Sequence, residues 1–188
     1  MPEIIEYQEC WPIEFQAIAS HLRHGLGSIA IRIDHIGSTA VPGLAAKNII
    51  DVQISVASLD EERISAITAL GYSLFEAVTR DHRPPGAVGP ESDWEKRFFL
   101  QPTGRRRTNV HLRVQGRPNQ RYALLFRDYL RTHPATADAY AELKRRLFQN
   151  LADPKTYPDV KDPAVDLIYL AAEEWALATG WEPGKSEA

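Results

Sequence analysis

Apolar residues recur along the chain with two different periods, and these periods predict both helices and strands. Within 11–27, Phe15, Leu22 and Leu26 follow the three- and four-residue spacing of a helix that buries one face. Within 48–56 the period is two, because Ile50, Val52, Ile54 and Val56 alternate with polar residues on the opposite face of a strand. The other segments of the first part are predicted strands at 29–36, 94–100 and 108–114, and a predicted helix at 59–70.

The remainder of the chain has helical periodicity. Helices are predicted at 120–132, 135–151 and 163–179, with a proline-containing link at 153–162. Glycine and proline mark loops at 37–47 and 80–93. Mixed strands and helices followed by helices predict an α+β fold, with a small sheet flanked by helices. We expect one domain, with an α/β core at 1–118 and a helical subdomain at 119–180.

Composition excludes several classes of protein. The 188 residues are 44% hydrophobic and 25% charged, so the chain can bury a core and is not disordered. The formal charge of −3 argues against a general nucleic-acid binder, and the one cysteine cannot form an intrachain disulfide. No window approaches 18 consecutive apolar residues, and the acidic first eleven residues are unlike a signal peptide. A soluble, cytoplasmic protein that binds no membrane is expected.

The first candidate site joins a loop to a strand. Gly37, Ser38 and Thr39 follow a predicted strand and offer a tight turn, hydroxyls and amide donors for a phosphate. Asp51 lies on the polar face of the next strand, where a carboxylate beside phosphates is a natural magnesium ligand. Lys47, four residues earlier, has the length to reach a phosphate. The alternative is a surface turn, a solvated lysine and a wet strand face.

The second candidate site is a basic stretch around the strand at 108–114. Asn109, His111 and Arg113 share one strand face, which either lines a cleft with Asp51 or is simply solvated. The segment 96–121 holds eight Lys and Arg residues and no acid, so it predicts a patch that attracts phosphate-bearing ligands. The residues singled out there for phosphate binding are Lys96, Arg97, Asn109 and Arg113. Nucleic acid is an unlikely ligand because stacking aromatics are scarce.

Several segments resemble a known family. The stretch 35–51 (HIGSTAVPGLAAKNIID) is similar to the GrpB-like family, uncharacterised protein family 0157, which also occurs fused to bacterial dephospho-coenzyme A kinases. The resemblance continues at 94–100, 108–112, 125–131 and 140–147, and Tyr157 with Lys161 looks like a family-typical pair for phosphate contact or packing. Ile36-Gly37-Ser38 followed by Asp51 also resembles the nucleotidyltransferase superfamily. The resemblance implies a minimal nucleotidyltransferase-like mixed sheet with a C-terminal helical subdomain.

The sequence departs from the transferase pattern at two positions. Gln53 stands where the superfamily has a second carboxylate, and His111 stands where the third is expected. Asp51, Gln53 and His111 are the predicted catalytic residues and the predicted ligands of a divalent metal, Mg²⁺ or Mn²⁺. They form a weak magnesium site, because magnesium prefers anionic oxygen ligands.

Three functions follow from these residues. The leading hypothesis is an enzyme that transfers a nucleotidyl group from a nucleoside triphosphate to a small acceptor. In it Ser38 holds phosphate, Asp51 binds metal, and His111 completes the site or acts as a general base. The second is a non-catalytic module that binds a nucleotide or coenzyme A without metal. The third is a different chemistry centred on His111 on the same scaffold. The acceptor and the oligomeric state are not encoded in any recognisable pattern.

Overall fold

The chain folds around a mixed five-stranded sheet, in a computed structural model that describes residues 3–153 and 156–188. The sheet order is β2-β4-β7-β6-β5, in which β4 and β7 are parallel and the other neighbours antiparallel. Two short strands pair separately as β1 with β3. The strands are β1 (Ile4–Ile5), β2 (Arg32–Ile36), β3 (Ala46–Lys47), β4 (Ile50–Val56), β5 (Ser73–Leu74), β6 (Arg97–Leu100) and β7 (Thr108–Val114).

Five α-helices flank this sheet, and local signals define their ends. The carboxylate of Asp60 caps α2 by accepting from the backbone N–H of Arg63. Helices α1, α3, α4 and α5 carry proline in their first turn, where a missing N–H costs nothing. Gly180 ends α5 in the left-handed conformation, with φ of 65°. The helices are α1 (Trp11–Leu26), α2 (Glu61–Ala69), α3 (Pro118–Thr132), α4 (Pro134–Asn150) and α5 (Tyr157–Thr179).

Two apolar clusters stabilise the fold. One lies between α1 and the sheet, where Trp11, Phe15 and Leu22 pack against the apolar face of the strands. The other joins α3, α4 and α5 and takes in Val41 and Leu44 from the loop after β2. The loop after β2 is therefore packed against the helical layer. The opposite, polar face of the sheet looks toward α3, because Gln53 donates to the carbonyl of Gln120 at 3.1 Å.

The predicted α+β class and the nucleotidyltransferase-like arrangement are confirmed. Several boundaries differ from expectation, and the short strands β1, β3 and β5 were not predicted. The first residue of each predicted strand, at 29–36 and 94–100, belongs to a 3₁₀ turn. The predicted link at 153–162 is helical from Tyr157, and Pro163 lies inside α5. Residues 154 and 155 of that link lie outside the described residues. Within the described chain, no helix is both long and apolar enough to cross a membrane. The division at 118 into two folding units stays a prediction.

Candidate functional site

The parallel pairing of β4 with β7 brings polar side chains together on one face of the sheet. Asp51 is the register partner of Asn109, and Gln53 is the partner of His111. Arg113 follows two residues later, on the same face. The structure thus assembles the polar face that the two alternating strands predicted. Asn109 Nδ2 donates to Asp51 Oδ1 at 2.8 Å, which orients the carboxylate.

The turn after β2 lies directly beside Asp51. Gly37 has φ of 71°, and a Cβ placed on it would lie 2.6 Å from Asp51 Oδ2, so only glycine fits. Ser38 Oγ accepts from Lys144 Nζ at 2.9 Å. Thr39 differs from the expectation of a free phosphate donor. Its hydroxyl is buried, donates to the carbonyl of Ile49 at 3.3 Å and lies 3.0 Å from His35 Nε2.

Asp81 forms ion pairs with two of the cations that were expected to bind phosphate. Lys96 Nζ donates to Asp81 Oδ1 at 2.6 Å. Arg113 makes a bidentate pair with the same carboxylate, at 2.8 Å from Nε and 2.7 Å from Nη2. Burial alone would raise the pKa of Asp81, but Arg113 and Lys96 outweigh it and hold that pKa well below its usual range. Lys96 and Arg113 are therefore buried structural cations here, in place of the predicted phosphate ligands.

Gln53 is committed to structural contacts. Arg113 Nη1 donates to Gln53 Oε1 at 2.6 Å, and Gln53 Nε2 donates to the carbonyl of Gln120 at 3.1 Å. The side chain is completely buried. Its amide oxygen already accepts from a guanidinium, so this oxygen is a poor ligand for a metal cation.

His111 directs Nε2 of its ring toward Asp51, at a distance too long for a hydrogen bond. Its Nδ1 lies 3.4 Å from both Lys96 Nζ and Arg113 Nη2, which are donors only, so Nδ1 accepts. A neutral imidazole has one N–H, and this places it on Nε2, 3.6 Å from Asp51 Oδ1. Burial, together with Lys96 and Arg113, lowers the pKa of His111 to about 4. The lone pair needed by a metal ligand or a general base is therefore engaged.

The predicted metal ligands do not fit a divalent cation. The oxygen of Gln53 and the lone pair of His111 both face cationic donors, which leaves Asp51 as the one anionic donor of the set. Magnesium requires several hard oxygen ligands in near-octahedral geometry. Among residues 3–153 and 156–188, no three His, Cys, Asp or Glu side chains are grouped to hold a metal ion. The assignment of Asp51, Gln53 and His111 as a metal site stays a prediction, and these contacts argue against it.

The basic segment at 96–121 is divided rather than gathered into a patch. Arg97 pairs with Leu112, so its side chain lies on the face of the sheet opposite His111. Arg106 forms an ion pair with Glu14 at 2.8 Å, and Arg121 forms one with Glu173 at 2.5 Å. Acids that are distant in sequence thus neutralise several cations of the segment. Its local charge does not predict a binding surface.

A different set of cations lines the cleft beside the Gly37 turn. Lys47, Lys144 and Lys161 all border a cavity of about 340 Å³, which Asp51, Asn109 and His111 also line. Burial, with Lys161 and Arg145 nearby, lowers the pKa of Lys144 to about 7. Burial also lowers the pKa values of Lys47 and Lys161. These lysines have lost water without gaining a matching number of carboxylates.

Sequence reasoning singled out Lys47 but missed Lys144. Lys144 lies on α4 one turn after Tyr140, and its Nζ is 4.6 Å from the centroid of that ring. The two residues share a helix face with Ala137 and Ala141, all of them buried. The sequence signal that could have identified Lys144 is a lysine among the apolar positions of one helix face. Lys47 Nζ similarly lies 3.8 Å from the centroid of the Tyr157 ring.

The sequence matches the family described as GrpB protein over residues 1–170. The chain belongs to the GrpB family. A protein of Mycolicibacterium paratuberculosis named dephospho-CoA kinase is 39% identical over 92% of this chain. The UPF0157 protein YqkA of Bacillus subtilis is 35% identical over 99% of it. The chain spans 46% and 50% of these two relatives, about half of their length.

Solved structures agree with the GrpB assignment and with the fold. The crystal structure of the conserved protein GrpB from Enterococcus faecalis has a TM-score of 0.73 at 29% identity. That match covers 95% of this chain and 99% of the other. The GLD-2/RNP-8 complex has a TM-score of 0.51 at 10% identity, over 81% of this chain and 49% of that one, a likeness of fold alone.

Proposed function

We propose that this GrpB-family chain binds a nucleotide or another phosphate-bearing small molecule in the lysine-lined cleft, without a metal ion. The observation that carries this proposal is the contact between Lys144 Nζ and Ser38 Oγ, at 2.9 Å. It joins a buried cation from the helical layer to the Gly37 turn of the sheet. A phosphate seated there would meet a hydroxyl, backbone amides and an ammonium group together.

The charges of the cleft support an anionic ligand. Asp81 is already neutralised by Lys96 and Arg113. The cleft carboxylates that remain, Asp51 and Asp162, line the same cavity as Lys47, Lys144 and Lys161, and Asp162 lies 3.9 Å from Lys161 Nζ. A buried ammonium is costly when its charge is not matched. A ligand with two or more phosphate charges would relieve this cost and raise the pKa of Lys144.

The size and walls of the cleft support a small organic phosphate. A cavity of about 340 Å³ falls at the lower end of the volumes of ligand pockets. Its helical side carries the rings of Tyr122, Phe126 and Tyr140. Aromatic rings provide a wall for a nucleobase or another flat group, while the lysines hold the phosphates.

Nucleotidyl transfer is the second candidate. The observation in its favour is the carboxylate of Asp51, which lies against the Gly37 turn at the place that the superfamily pattern assigns to it. Against it stand the engaged oxygen of Gln53 and the engaged lone pair of His111. The same lone pair argues against the third hypothesis, a chemistry centred on His111.

A thermal-shift titration separates these functions. The chain is titrated with each nucleoside triphosphate, coenzyme A and inorganic pyrophosphate, in EDTA or in MgCl₂. A ligand at a hundred times its Kd adds about 2.7 kcal/mol, or roughly 5–10 °C for a chain of this size. We expect stabilisation in EDTA that Lys144→Met abolishes. The matched control is Arg146→Met, which removes an exposed cation from the same helix.

The outcomes are distinct. Stabilisation that requires MgCl₂ and disappears in Asp51→Asn would instead favour the transferase. If no phosphate compound at millimolar concentration shifts the melting temperature, the proposed function fails.

A further inference from the structure

Strand β2 is an edge strand whose outer backbone groups are all occupied. The sheet continues from β2 only toward β4, so Ile33 and His35 point their N–H and C=O groups outward. Ile33 N–H donates to Ser186 Oγ at 2.9 Å, and its carbonyl accepts from Glu187 N–H at 3.1 Å. His35 N–H donates to Glu187 Oε2 at 2.7 Å. Its carbonyl accepts from Arg127 Nη1 at 3.0 Å. Residues 186–188 therefore cover the edge through one backbone hydrogen bond and several side-chain hydrogen bonds.

The carboxylate of Glu187 is the anchor of this segment. Beyond the bond from His35, it accepts from Arg127 Nη1 at 3.0 Å and from Arg131 Nη2 at 3.2 Å. Besides Glu187, Arg127 contacts the carboxylate of Asp128 at 2.7 Å and the carbonyl of His35 at 3.0 Å. Hydrogen bonds between charged groups are stronger than neutral ones. The edge thus selects an extended segment that carries an acidic side chain.

The same two arginines hold the backbone on both sides of the Gly37 turn. Arg127 Nη1 binds the carbonyl of His35, two residues before the turn. Arg131 Nε donates to the carbonyl of Ala40, immediately after Thr39, at 2.9 Å. Glu187 and Asp128 together hold both guanidinium groups, and these in turn contact the two ends of the turn.

We infer that the outer edge of β2, with Arg127 and Arg131, is a binding site for an extended peptide segment that carries a glutamate. Residues 186–188 of the chain itself fill this site, and their presence positions the turn at 37–39. The site differs from the lysine-lined cleft, and the inference does not rest on the function proposed for that cleft. Because the contacts of the occupant lie within three residues, a peptide that contains them should replace it.

Amide hydrogen exchange on the full chain tests the inference without any ligand of the cleft. In Glu187→Lys, we expect exchange at Ile33 and His35 to accelerate at least tenfold. Exchange at Ala40 and Val41 should accelerate severalfold. Glu187→Gln should show the same pattern more weakly, and it remains informative if the lysine variant folds poorly. Glu182→Gln, which alters an exposed acid of the same tail, is the matched control and should change nothing.

A peptide of residues 183–188 is then added to the Glu187→Lys chain at millimolar concentration. We expect it to restore slow exchange at all four amides, whereas the peptide with glutamine at 187 fails. Unchanged exchange at Ile33 and His35 in both variants would overturn the edge site. Acceleration there without acceleration at Ala40 and Val41 would overturn the positioning of the turn. Failure of the native peptide to restore protection would show that the tail is fixed packing and that the edge is not a peptide site.

Discussion

Replacing Asp81 with asparagine should destabilise the fold strongly, because it leaves two buried cations without a counter-charge. The carboxylate accepts from Lys96 at 2.6 Å, from Arg113 at 2.7 and 2.8 Å, and from Asn119 at 3.0 Å. The side chains of Lys96 and Arg113 are 9% and 6% exposed, so water cannot take over these contacts. Removing one partner of a buried ion pair typically costs about 3–5 kcal/mol.

Urea unfolding at pH 7 measures this loss. With an m-value of about 2–3 kcal/mol/M, the midpoint should fall by roughly 1–2 M. The control is Glu91→Gln, which breaks a pair with Arg80 whose side chains are 55% and 71% exposed. A surface pair of this kind is worth about 0–1 kcal/mol, so its midpoint should hardly move.

The difference in unfolding free energy between the parent chain and Asp81→Asn should also depend on pH. The pKa of Asp81 is held below its usual range in the folded chain, so its contribution is present above the pKa of an unfolded aspartate. The contribution is lost as the pH falls through the folded value. The gap between Asp81→Asn and the parent chain should therefore be full at pH 7 and narrow below about pH 4. A loss below 1 kcal/mol at pH 7, or a gap that widens in acid, would refute this account of the buried charges.

Two further predictions concern the cleft. The charge of sulfate is constant between pH 5 and 9, so its Kd should be constant below the pKa of Lys144, about 7, and rise by up to tenfold per pH unit above it. Calorimetry should show a flat profile of Kd against pH in Lys144→Met. A slope that is retained in this variant would contradict the role of the lysine. Gly37→Ala combines a φ of 71° with a contact of 2.6 Å to Asp51, so it should cost more than the roughly 1–2 kcal/mol of left-handed strain alone and abolish ligand binding. Gly104→Ala, with φ of 74° and open space around the Cβ, should show the strain without the binding defect, and equal losses in urea unfolding would argue against the close approach.

The elements that could be predicted from the sequence are those whose signals are local. The alternation within β4 and β7 correctly placed Asp51, Gln53, Asn109 and His111 on polar faces, and parallel pairing put those faces side by side. The start of α5 was missed because Pro163 is typical of a first helical turn, whereas α5 begins at Tyr157, with Pro158 in its first turn, and contains Pro163 in its interior. Periodicity marks a helix face well but marks a proline-rich helix start poorly.

The partners of charged residues could not be predicted in this way. Lys96 and Arg113 belong to a basic run, yet Asp81 neutralises both from a loop 15 and 32 residues away. Lys144 belongs to a helix whose periodicity indicated only packing, yet its ammonium reaches Ser38, 106 residues earlier. Pairing of this kind is a property of the folded chain, so counts of charge along a segment cannot reveal it.

The departure at Gln53 is coupled to Asp81 through Arg113. The guanidinium of Arg113 donates from Nε and Nη2 to the carboxylate of Asp81, and from Nη1 to Gln53 Oε1. A glutamate at 53 would place a second anion beside Arg113, which is already paired with Asp81. It would also turn a carboxylate oxygen toward the carbonyl of Gln120, which now accepts from Gln53 Nε2. The second carboxylate of a transferase therefore cannot be restored by this one substitution. Asp81 neutralises Lys96 and Arg113 from a loop, and Gln53 stays engaged by Arg113. This is the physical reason to propose ligand binding before metal-dependent transfer.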